Sequence, residues 1–147
     1  MIKILIVEDE TIVALDTQST LIKLGYEVTD IVTTYEEALL SFSKNKPDII
    51  LMDIFLKNSL SGIDIAKKIN ENSKTAIIFM SAYCDDETLD KAAKIEPFAY
   101  LVKPFNRNDL KSSMNIATYK LQKRSEKIDE NGKYKLSHEY YYSLEPY

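Results

Sequence analysis

The feature that most constrains this chain is a series of short, largely apolar segments at near-even intervals. They are KILIV (3–7), YEVTDIV (26–32), DIILM (48–52), TAIIFM (75–80) and FAYLV (98–102). Each is too short for a core helix and rich in β-branched or aromatic residues, so each reads as a strand. A strand that is apolar at consecutive positions is covered on both faces, whereas a sheet with one wet face alternates. The intervening stretches carry helical spacing and helix punctuation. Residues 11–24 hold Ile12, Leu15, Leu21, Ile22 and Leu24 at mostly helical intervals, and Gly25 supplies a stop. Thr34 and Glu37 form a capping box for a helix to Lys44, which Asn45 and Pro47 break. Gly62 opens a helix with Ile63, Ile65, Ala66 and Ile69; Asp85 or Asp86 caps one reaching Lys94; a last helix starts near Asn106 or Asn108. Strand and helix thus alternate five times. With right-handed crossovers, that pattern predicts an α/β domain with a doubly wound parallel sheet.

Sheets of this kind bind ligands beyond the carboxyl ends of their strands. Glu8 and Asp9 follow the first strand, Asp53 the third, Ser81 the fourth, and Lys103 with Pro104 the fifth. Each alone is ordinary loop chemistry, but in a parallel sheet all of these points share one edge. Three carboxylates then stand beside a hydroxyl and an ammonium. Like charges packed together raise one another's pKa unless a cation neutralises them. Hard oxygen ligands suit Mg2+, which takes a few carboxylates together with waters and a phosphate.

KILIVEDE (3–10), PDIILMDIFL (47–56), SGIDIAKKI (61–69), AIIFMSAY (76–83) and YLVKPF (100–105) together resemble the response-regulator receiver family of two-component signalling, the CheY-like superfamily. The resemblance spans residues 1–121 and implies a five-stranded, flavodoxin-like sheet of order 2-1-3-4-5. It implies that Asp53 is the phosphoacceptor, its carboxylate attacking phosphorus to form an acyl phosphate. Glu8, Asp9, Asp53 and the backbone carbonyl of Phe55 would hold Mg2+. Lys103 would pair with a phosphoryl oxygen, and the Lys103–Pro104 peptide matches the family's cis bond. Ser81 stands where a Ser or Thr donates to the phosphate after transfer. Tyr100 matches the aromatic residue that turns inward when that hydroxyl moves, switching a face made of the fourth helix, fifth strand and fifth helix. Phe55 and Tyr83 overhang the site and would tune the rate of phosphate loss.

The implied partner is a histidine kinase or phosphotransfer protein, and the implied role is a regulatory phosphoacceptor rather than an enzyme. Two other readings compete. Intact Asp53, Ser81 and Lys103 argue against a pseudo-receiver or stand-alone docking module. A haloacid-dehalogenase-like phosphatase, which also uses an aspartate nucleophile, needs Asp-x-Asp after the first strand, and Glu8-Asp9-Glu10 lacks it. The chain departs from the family pattern in the loop IFLKNSLSG, which has no Pro, and at Pro97, where many receivers have Gly-Ala.

Composition narrows the setting. A net charge of −4 offers no bulk electrostatic reason to bind nucleic acid or a membrane. No stretch approaches the roughly 20 apolar residues of a membrane helix. The apolar run of MIKILIVEDE is too short for a signal peptide. The one cysteine, Cys84, cannot form an internal disulfide, which agrees with the cytoplasm; it reads as a small residue entering a loop rather than a redox centre. His138, the one histidine, reads as a surface residue.

Residues 122–147 form an extension. Leu110, Met114, Ala117, Leu121 and Ile128, interrupted by Arg124, suit a fifth helix prolonged towards Asp129 as a coiled-coil-like seam. Its first half also suits simple core packing, and its outer part needs a partner, either a second copy of the chain, giving a homodimer, or the tyrosine-rich tail folded back on it. The tyrosine-rich tail after Asn131-Gly132 faintly resembles the opening strands of a winged-helix output domain, a DNA-binding transcription regulator.

Overall fold

The computed structural model of the 147-residue chain describes residues 1–57, 59–82 and 84–126. In chain order the elements are β1 (Lys3–Val7), α1 (Thr11–Lys23), β2 (Glu27–Val32), α2 (Tyr35–Asn45), β3 (Ile49–Asp53), α3 (Gly62–Asn70), β4 (Ala76–Ser81), α4 (Asp86–Ala93), β5 (Ala99–Val102) and α5 (Arg107–Glu126). The five strands form one parallel sheet in the order β2-β1-β3-β4-β5. Every residue of β3 and β4 is buried, as their unbroken apolar runs require, while the edge strands β2 and β5 are partly exposed. The expected doubly wound, flavodoxin-like sheet is the observed one. The first compact unit is Met1–Ala117.

Local chemistry sets the helix ends. Thr34 Oγ1 accepts from the Glu37 amide at 3.3 Å, and Glu37 in turn accepts from the hydroxyls of Thr33 and Thr34. Asp85 caps α4 by accepting from the Thr88 amide at 2.8 Å. Asn106 and Asp109 exchange side-chain-to-backbone bonds at the start of α5. Gly25, at φ +97, ends α1 in the left-handed region.

Helix α1 departs from the simple pattern. Among the five apolar residues that marked it, only Leu21 is buried; Ile12, Leu15 and Ile22 face outward, and the buried face is Ala14, Thr17 and Leu21. The inner face thus mixes two small side chains with one large apolar one, and the list of apolar positions alone does not mark it. In α5, Leu110, Met114 and Ala117 are buried within the chain itself, as core packing of the first half of the helix requires. The helix is described as far as Glu126. Ile128, Asp129, the tyrosine-rich tail and His138 lie outside the described residues, as does Tyr83.

Candidate functional site

The parallel sheet gathers the carboxyl ends of β1, β3, β4 and β5, and backbone bonds lock the exits together. The Glu8 amide donates to the Val32 carbonyl, the Ile54 amide to Met80 and the Lys103 amide to Ser81, the last at 2.7 Å. Glu8 leaves β1 buried, Asp53 ends β3 buried, and Ser81 ends β4 fully buried. One oxygen from each of Glu8, Asp9 and Asp53 lies within 4.8 Å of the others. The Lys103 ammonium donates to both buried acids, to Asp53 Oδ2 at 2.9 Å and to Glu8 Oε1 more closely still. The Lys103–Pro104 peptide is cis.

The loop after β3 contributes backbone rather than side chains. Asp53 Oδ1 accepts from the Phe55 amide at 3.1 Å, and Asp9 Oδ2 accepts from the Lys57 amide at 2.6 Å. Gly62 closes this loop against the strand. Its amide donates to the Ile54 carbonyl, and a Cβ at this position would lie 2.2 Å from the backbone oxygen of Asp53. The sequence marks Gly62 as a helix start; its tight contact with Asp53 depends on tertiary packing and had no local signal.

Burial is the largest influence on Glu8. It pushes the carboxyl from an ordinary 4.5 to about 7, aided by the adjacent Asp53 carboxylate and opposed by Lys103. Lys103 loses some preference for its charged form through burial, but Glu8 and Asp53 outweigh that and raise its pKa above 10.5. Three acids thus face one ammonium, and the cluster holds more negative charge than it can balance. This donor set of convergent carboxylates fits a hard divalent cation.

Ser81, Cys84 and Tyr100 meet at one junction. The Cys84 sulfur is 3.0 Å from Ser81 Oγ and 2.9 Å from the Tyr100 hydroxyl. Burial and the Cys84 contact push the Tyr100 phenol up to about 12, opposed by the Ser81 hydroxyl. Sequence reasoning read Cys84 as a small loop residue and missed this position; its place three residues after Ser81 was the available signal. Phe55 is more than half exposed beside the acidic cluster.

Residues 4–115 match the family model for the response regulator receiver domain. The chain belongs to the response regulator receiver family. It is 30% identical over 115 residues to the transcriptional regulatory protein PdtaR of Mycobacterium tuberculosis, covering 78% of this chain and 56% of the relative. It is 38% identical over 112 residues to the response regulator ArlR of Staphylococcus saprophyticus, covering 75% and 49%. Among solved structures, the signal receiver domain of a modulated diguanylate cyclase from Desulfovibrio desulfuricans G20 superposes with a TM-score of 0.76 at 34% identity, covering 83% of this chain and 97% of that one. The chain spans about half the length of the curated relatives it matches. Receiver domains are regulatory modules of two-component systems.

Proposed function

We propose that this receiver takes a phosphoryl group on Asp53 from a histidine kinase or phosphotransfer protein. The observation that carries the reading is the pairing of the buried Asp53 carboxylate with Lys103 at 2.9 Å beside two further acids. Mg2+ held by Glu8, Asp9, Asp53 and the Phe55 carbonyl would supply charge neutralisation to the transferring group. The chain's own residues do the rest. The Phe55 amide and Lys103 orient the Asp53 oxygens for attack. Asp9 is aimed by the Lys57 amide. Lys103 then meets the arriving phosphoryl oxygens as a point charge. Ser81 donates to the phosphoryl group once it is bound, and Phe55 and Tyr83 hinder water from reaching phosphorus.

The donor docks along α1, which opens beside the acidic pair and exposes Ile12, Leu15 and, near its far end, Ile22. Output passes through Ser81 and Tyr100 to the face of α4, β5 and α5, which exposes Leu89, Val102 and Ile116 and serves a homodimer. The setting is cytoplasmic; among the described residues no helix is long and apolar enough to cross a membrane. Residues 1–121 act as the receiver and 122–147 as its link to an output, with DNA-binding transcription control as the output class.

Asp53→Asn is the deciding variant, because an amide is a poor nucleophile towards phosphorus. With acetyl phosphate and Mg2+, the wild-type chain is expected to give a retarded band in a phosphate-affinity gel, lost in Asp53→Asn and in chelator. A retarded band of equal intensity in the variant refutes the assignment.

A further inference from the structure

Cys84 is the chain's one cysteine, and it is buried in the turn between β4 and α4. Besides its contacts with Ser81 and Tyr100, its sulfur lies 3.5 Å from the Ala82 carbonyl oxygen. Three groups bearing one proton each meet at this sulfur. A carbonyl only accepts, so with the thiol proton turned to Ala82 the sulfur can accept from both hydroxyls. In this assignment every proton at the junction is used within it.

We propose that Cys84 is the positioning residue of the switch, its sulfur holding the Ser81 and Tyr100 hydroxyls together so that neither changes its bonding without the other. The inference rests on Ser81 being the hydroxyl that meets the phosphoryl group. Turning towards that group exchanges a bond to a weak sulfur acceptor for one to an anionic oxygen, which is the stronger. The sulfur then keeps Tyr100 as its one hydroxyl donor, and the Tyr100 ring settles anew. A hydroxyl at position 84 also accepts two donors, whereas a methyl accepts none. The signal from Ser81 to Tyr100 therefore survives Cys84→Ser and weakens in Cys84→Ala.

The test is NMR of the full chain with 13C-labelled Tyr rings and 13Cβ-labelled Cys. The lone cysteine gives one assignable signal, and Tyr100→Phe identifies the Tyr100 resonance by its loss. Ser81→Ala is expected to shift both the Cys84 and Tyr100 signals in the wild-type background. The Tyr100 shift should shrink in Cys84→Ala and return to its wild-type size in Cys84→Ser. A Tyr100 shift of equal size in the Cys84→Ala background overturns the proposal, whatever Asp53 does. Acetyl phosphate with Mg2+ should move the wild-type Cys84 signal in the same direction as Ser81→Ala. If Ser81→Ala acts through Cys84 while acetyl phosphate moves neither signal, the sulfur link stands and the phosphoacceptor reading of Asp53 falls.

Discussion

Glu8 is 1% exposed between a carboxylate and an ammonium, and its proton carries a consequence for stability. The folded carboxyl titrates near 7 and the ordinary value is 4.5, so between those pH values the folded chain binds more proton than the unfolded one. Stability falls with rising pH wherever the folded state binds the excess. Glu8 therefore contributes least above pH 7 and most below pH 4.5. In chelator, the melting temperature of the wild type should decline from pH 5 to pH 8 more steeply than that of Glu8→Gln, which has no proton to lose. Parallel slopes would show that Glu8 titrates normally. The clustering of Glu8, Asp9, Asp53, Ser81 and Lys103 was legible in the sequence, because each ends a parallel strand and strand ends share an edge. What each side chain reaches was less legible. Asp9 turns to the Lys57 amide because the loop after β3 runs past it, and Cys84 acquires its partners because the turn before α4 folds inward. Neither path leaves a periodic trace.

At the scale of elements, the strands were legible because continuous apolar runs have few alternatives, and α2, α4 and α5 because their caps stand in the sequence. Helix α1 was legible in its extent but not in its orientation. The side that packs carries Ala14, Thr17 and Leu21, while Ile12 and Leu15 lie outward. The start of α3 is governed by closeness. A methyl at Gly62 would collide with the backbone oxygen of Asp53 and with Met52 Cγ at 2.7 Å, and a backbone atom in a central strand yields little. Gly62→Ala should cost about 1–3 kcal/mol by urea unfolding, in the range of other overpacked sites, and should slow labelling of Asp53 by displacing its carbonyl. Unfolding at the wild-type urea midpoint would mean that the strand or helix shifts without cost.

At the scale of the whole molecule, Leu89, Val102 and Ile116 are exposed on α4, β5 and α5. Apolar groups scattered on a surface are ordinary, but one on each of these three successive elements would suit a second copy of the chain. Sedimentation of the full chain should show a monomer–dimer equilibrium that acetyl phosphate and Mg2+ shift towards dimer. Val102→Glu with Ile116→Glu should hold it monomeric with phosphate labelling intact. Equal mass in all three conditions would remove the homodimer.

The strand order has a mechanical side. Asp53 ends the middle strand, which is bonded along both sides, as are its neighbours β1 and β4. Ser81 pairs with Val102 on β5, a four-residue strand that among the described residues is bonded along one side only. A stiff plate clamped at its centre transmits force without bending, and displacement collects at whichever rim is sprung. A small change in charge at the clamp can thus be felt as motion two strands away, at the rim.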